Sequence, residues 1–175
     1  MRNLKSILGV VFVEKNEKRI ISNYNENGSL KEYKSQRELE QMTVKILNNY
    51  YTTEKGEVDI FLIQEKMVMV RAYSDFYLII VSENNENEMV LNDLIETIEA
   101  ALDYFCSKEV SLKSIYKHYE EIVLLINEVF SNGLILTSSA QDLISRINLT
   151  NAKKGKIPAT PNQGKSGVMG FLGFS

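Results

Sequence analysis

The chain is poor in the residues from which most reactive sites are built. Among its 175 residues there is one cysteine, Cys106, and one histidine, His118. A single thiol excludes an internal disulfide framework and any multi-cysteine metal site, and it suits a reducing compartment. Zinc would need carboxylates gathered from scattered positions around His118, and Cys106 stands twelve residues away with no ligand spacing. Excess positive charge is missing too. The formal net charge is -3 and the pI about 5.4, so no global basic field attracts nucleic acid or acidic lipid. Long apolar runs are absent from the N-terminal stretch MRNLKSILGVVFVEKNEKR, whose run Ile7 to Val13 has a strand's length rather than that of a membrane span or signal peptide.

What is present is apolar and unevenly charged. Hydrophobic residues make up 44% of the chain, enough for one domain with a sizeable core. Residues 83–107 hold seven acids and no Lys or Arg. Residues 151–175 hold four lysines, no acid, both prolines and five of the nine glycines. The composition predicts a domain over residues 1–150, at formal charge -7, and a flexible tail over 151–175 that buries too little surface to order itself.

Periodicity gives the order of elements. Leu4 to Val13 and Lys18 to Ser22, separated by EKNEK, predict a hairpin. From Ser35 the spacing turns helical through Leu39, Met42, Ile46, Leu47 and Tyr50. VDIFLI (58–63), KMVMVRAY (66–73) and FYLIIVS (76–82) read as strands whose links are too short for a parallel return. One helical stripe follows from Met89 to Phe105. Ser111 is placed to cap a second helix, Leu112 to Phe130, with Gly133 as its terminator. GLILT is a short extended piece, and Ser139 with Asp142 opens a last short helix bearing Leu143, Ile144 and Ile147. The order β-β-α-β-β-β-α-α predicts an α+β domain: a five-stranded, mainly antiparallel sheet with helices packed on one face.

No stretch carries catalytic chemistry. Gly164-Lys165-Ser166 lacks the earlier glycine of a phosphate loop, since position 159 is Ala, and has neither the strand before it nor the helix after it. Cys106 reads as a small buried hydrophobe, and His118 as structural. Glu96 with Glu99, and Glu120 with Glu121, fit wetted helix faces. Asn148-Leu149-Thr150 has the form of a glycosylation acceptor, idle without secretion. The strand-to-helix junction at 82–89 offers Glu83, Glu86 and Glu88, which complement the helix dipole and repel phosphate, so it reads as a corner. Tyrosines 50, 51, 73, 77, 116 and 119 fall in core-like patterns, not in a basic groove. The reading is of a non-enzyme with no catalytic, cofactor-binding or metal-binding residue.

Three stretches carry a resemblance. LKSILGVVFVEKNEKRIISNYN is similar to the first hairpin of the longin-like (profilin-like) small chains of vesicle coats. VMVRAYSDFYLIIVSENNENEMVLNDLIETIEAL resembles their strand-strand-helix centre, including the pair Asn87-Glu88 that opens the long helix. YEEIVLLINEVFSNGLILTSSAQDLISRI resembles their closing signature, with Gly133 and Arg146. Within that family the chain is more similar to the zeta subunits of coatomer than to the sigma chains of clathrin adaptors, whose glycine a charged residue tends to follow; NEVF (127–130) would suit the adaptors, and another longin-domain trafficking scaffold is the remaining alternative. The tail after Thr150 departs from the adaptor pattern. The resemblance implies a non-catalytic subunit without cofactor, paired with the helical trunk of coatomer gamma. Through that complex it implies association with the beta-delta pair and Arf-GTP, and a cytoplasmic protein cycling on and off Golgi membranes and COPI vesicles. It points to the first hairpin and neighbouring strands as the contact. Apolar or aromatic residues at element ends are the candidates there: Tyr24, Tyr33, Met67 and Tyr73.

Overall fold

The structure, a computed structural model, describes residues 6–50 and 57–155. Strand β1 (Ile7–Glu14) turns into β2 (Arg19–Tyr24), and helix α1 (Tyr33–Tyr50) follows. Three strands come next, β3 (Val58–Ile63), β4 (Lys66–Ala72) and β5 (Phe76–Glu83). The remainder is α2 (Glu88–Phe105), α3 (Leu112–Lys117), α4 (Tyr119–Val129), the two-residue strands β6 (Phe130–Ser131) and β7 (Leu134–Ile135), and α5 (Ala140–Lys153). The five long strands form one sheet in the order β2-β1-β5-β4-β3, with every pairing antiparallel. The predicted α+β class and strand count hold.

Helices cover both faces of this sheet, where the sequence reading expected one. The central strands explain why. ILGVVFVE in β1 is buried at every position and FYLIIVSE in β5 at all but the last, so neither strand has a polar face to give to water. On one side α1 lays Leu39, Val44 and Leu47 over Leu8, Val11, Val70, Ile79 and Val81. On the other, Val10, Phe12, Met69, Leu78 and Ile80 meet Leu94, Ile98 and Phe105 of α2, Ile122 and Ile126 of α4, and Leu143 and Ile147 of α5. Each such side chain contributes about 1.5–3 kcal/mol by leaving water.

Local chemistry sets the ends. Asn87 stands at the N-cap of α2 and accepts from the Met89 N–H at 2.9 Å, while Ser111 and Ser114 cap α3 reciprocally. The single helix expected from Leu112 to Phe130 is broken at His118 (φ -110°, ψ 31°), which closes α3 and opens α4. Gly133 does not terminate a helix. With Asn132 it forms the two-residue turn between β6 and β7, both residues at positive φ (48° and 85°), the conformation an Asn-Gly pair favours. Ser139 accepts from the Asp142 N–H at the head of α5 as expected, and the helix runs 14 residues, through Asn151, Ala152 and Lys153. Asn151 is 2% exposed. The rest of the expected tail, residues 156–175 with Gly164-Lys165-Ser166, lies outside the described residues.

Candidate partner-binding surface

The candidate residues sit at and beneath the two edges of the sheet. At the β2 edge the organising group is Glu40 of α1, whose carboxylate is fully buried. It accepts from Arg19 Nε at 3.1 Å and Nη2 at 2.6 Å, from Arg37 Nη1, and from the Tyr24 hydroxyl at 2.8 Å. A lone carboxylate at this depth would be costly. Two guanidinium groups and a phenol supply the donors that offset its loss of water. Burial, and next the Glu40 carboxylate, push the Tyr24 phenol far above its ordinary range, so it remains the donor.

Arg19 links this buried acid to the surface. Its guanidinium carbon lies 5.5 Å from the Tyr24 ring centroid and 5.0 Å from that of Tyr33. Tyr33, 68% exposed at the start of α1, therefore has its cationic neighbour fixed from below. Tyr24 is half-buried, and its ring lies on Gly9, where a Cβ would come within 2.4 Å of it. The structure thus joins Tyr24 and Tyr33 through Arg19.

Met67 and Tyr73 belong elsewhere. Met67 is half-buried on β4, directly opposite Leu62 of the edge strand β3. Leu62 is 70% exposed and Ile60 41%. Tyr73 is 5% exposed, stacked on Phe76 with ring centroids 4.5 Å apart, and its hydroxyl is buried without a partner. Burial, then the charge of Glu99, raises its phenol well above the ordinary range. The ring is a floor under the α2 side of the sheet.

Sequence reasoning missed Arg19, Glu40, Ile60 and Leu62. Arg19 and Glu40 are 21 positions apart on different elements, and no local pattern couples them. VDIFLI reads as a strand without a place in the sheet, and only the strand order reveals it as an edge.

The remaining candidate sites are structural. Glu83 at the strand-to-helix junction accepts from Lys66 Nζ and from the Ser29 hydroxyl, each at 2.7 Å. Burial raises its pKa, and these bonds outweigh burial and bring it below the ordinary value. The junction is a corner. The Cys106 thiol is buried at the end of α2, and burial raises its pKa, away from the reactive thiolate. Among the described residues no group of three or more His, Cys, Asp or Glu could hold a metal ion, and no helix is long and apolar enough to cross a membrane. A groove of about 310 Å³ runs between β2 and α4, over Ile20, Ile21, Tyr119 and Val123. Another of about 490 Å³ lies between α2 and α5, beside Asp103, Tyr104 and Ile144. The first is lined by no Asp, Glu, His or Lys, and the second brings Ser107 near Asp103 and Lys108 on an exposed helix end.

Comparison with known proteins gives the family. The chain belongs to the family of clathrin adaptor complex small chains, whose family model matches residues 6–154. It is 27% identical to coatomer subunit zeta of Saccharomyces cerevisiae over 122 residues, which are 70% of this chain and 65% of the yeast protein. It is 21% identical to human coatomer subunit zeta-1 over 147 residues, 84% of this chain and 79% of that one. A chain from a homology model of the full-length AP-3 complex, in a stretched open conformation, superimposes with a TM-score of 0.61 at 13% identity. That match covers 85% of this chain and 95% of the other, and it speaks for the fold alone. The protein is a non-catalytic small subunit of a multi-subunit adaptor or coat complex.

Proposed function

We propose that the chain is the zeta-type small subunit of a COPI coat, held by the helical trunk of a coatomer gamma subunit. The observation that carries this reading is similarity to coatomer zeta chains of yeast and mammals across most of the domain. Pairing with gamma would place the chain in a complex with the beta-delta pair, recruited by Arf-GTP to Golgi membranes for retrograde and intra-Golgi transport. The acidic chain would then reach the membrane through its partners rather than by direct lipid attraction.

In this reading the trunk contacts both sheet edges. Tyr33 offers an exposed ring beside a fixed cation, Tyr24 and Glu40 hold that cation in place, and Met67 lies on β4 beside the opposite edge strand, on the same core face as Tyr73. A sigma-type role in a clathrin adaptor is the second reading, favoured by the family-model match. Affinity purification of the tagged full chain from its own cells separates the two. Peptide sequencing of the co-isolated large subunit should identify a coatomer gamma chain in stoichiometric amount. An adaptor large chain there would move the protein to the second reading, and no large chain at all would overturn both.

A further inference from the structure

The two edges of the sheet are finished differently. At the β2 edge, the pairing of β1 with β2 shifts register between Phe12 and Val13, Tyr119 donates to the Ile20 carbonyl at 3.4 Å, and Asn23 Nδ2 donates to the Phe130 carbonyl at 3.0 Å. These are the devices by which proteins keep a foreign strand off an edge. Strand β3 pairs with β4 without a register shift, and its one charged side chain, Asp59, stands opposite Val70 on the α1 side, away from Ile60 and Leu62. The turn at Gln64-Glu65 makes Ile63 and Lys66 a hydrogen-bonded pair, and at the other end the Ala72 N–H bonds the Glu57 carbonyl. Alternate residues Asp59 and Phe61 therefore also face β4, and the N–H and C=O groups of Val58, Ile60 and Leu62 point outward. No turn, loop or cap bond among the described residues takes them up. Val58, Ile60 and Leu62 also share one face, the α2 side, where Val58 and Met67 pack against the core and Leu62 and Ile60 stay exposed.

Charge indicates what would cover this edge. Glu96, Glu99 and Asp103 fall on one side of α2 at helical spacing. Glu99 accepts from Arg71 Nε at 3.1 Å, and Arg71 stands opposite Val58, so this acidic row looks toward β3. Residues 83–107 as a whole carry seven acids and no Lys or Arg. An apolar edge beside a surplus of carboxylates suits an extended strand bearing both apolar and basic side chains.

We propose that β3 accepts an extended, basic segment of the large coat subunit as a sixth antiparallel or parallel strand. Its apolar side chains cover Ile60, Leu62 and Met67, and its Lys or Arg side chains face the acids of α2. This rests on the coat-subunit reading above. The test uses the full chain alone and co-expressed with the helical trunk of the gamma subunit from the same organism. Hydrogen exchange at Val58, Ile60 and Leu62 should slow at least about tenfold in the complex. Ile60→Pro removes an outward N–H without touching a β3–β4 bond, and it should weaken association about tenfold or more, whereas Ile60→Val should not. Leu62→Lys, at a side chain already in water, keeps the test open should Ile60→Pro fail to fold. It repels a basic segment and should also cost about tenfold in affinity, and raised ionic strength should weaken the wild-type complex. If the complex forms with these amides unprotected and both variants binding as wild type, the edge assignment is wrong while the coat reading stands. If the wild-type chain binds no trunk, both fail together. Protection already present in the isolated chain overturns the partner assignment: it means the chain's own residues 156–175 if deleting them removes it, and a second copy if it grows with concentration.

Discussion

Replacing Glu40 with Ala should be among the most damaging single changes at the β2 edge. The carboxylate is completely buried and is the shared acceptor for Arg19, Arg37 and the Tyr24 hydroxyl. Removing one partner from a buried ion pair costs about 3–5 kcal/mol, because the remaining charge is left desolvated. Here the two arginine side chains are 18% and 19% exposed, so each can recover some water, which argues for the low end, about 3 kcal/mol. A domain of this size has a total stability of about 5–15 kcal/mol, so the loss is readily measured by urea unfolding. Tyr24→Phe alone, which deletes one hydrogen bond to a charged group, should cost about 1.5–3 kcal/mol. In the Glu40→Ala background the same change should cost much less, since its acceptor is already gone. A Glu40→Ala loss below about 1 kcal/mol, or full additivity with Tyr24→Phe, would refute the network as the anchor of this edge.

Further predictions follow from other residues. Gly9→Ala drives a methyl into the Tyr24 ring and should cost about 1–3 kcal/mol by denaturant unfolding, with part of the loss disappearing in a Tyr24→Ala background. The β3–β4 turn holds Gln64 and Glu65 at φ 50° and 60° without a glycine, so Gln64→Asn with Glu65→Gly should stabilise by about 1 kcal/mol, read as a raised denaturation midpoint at unchanged slope. Glu83 has a folded-state pKa below its ordinary 4.5, so it contributes stability at neutral pH that is lost as pH falls from about 4.5 through the folded value. Glu83→Gln should therefore be less stable than wild type at pH 7, and the gap should narrow below pH 4.5. Asp103 has the opposite sign: burial, then Glu99, raises its pKa above 3.8. Asp103→Asn should accordingly stabilise at neutral pH, with the gain vanishing as pH falls through the raised value, checked by unfolding at several pH values.

Much of the fold was legible because it is written locally. The β-branched runs of β1, β4 and β5, the apolar stripe of α2, and the caps at Ser111 and Ser139 each declare themselves within a few residues. The break at His118 was less visible, since the apolar spacing from Ile115 to Ile122 continues across it and only the backbone angles interrupt the helix. Cover on both faces is written in ILGVVFV as the absence of polar alternation, a signal that the short antiparallel links alone do not carry. Asn132-Gly133 is a hairpin dipeptide, but the apolar helical spacing up to Phe130 makes Gly133 read as a helix end.

The surface was less legible, for a physical reason. Tyr33 and Met67 could be picked as apolar side chains near element ends, but their neighbours are set by tertiary packing. Glu40 meets Arg19 only because α1 crosses the β2 edge, and Ile60 and Leu62 become exposed only because β3 is the last strand. Tyr73 follows directly on the end of β4 as Tyr24 closes β2, but stacking on Phe76 takes it into the core.

The most direct measurement is the native mass of the full chain co-expressed with the helical trunk of its organism's coatomer gamma subunit. The account predicts one small chain per trunk in a complex that survives size-exclusion chromatography. Free small chain eluting apart from the trunk, with both partners folded, would contradict it.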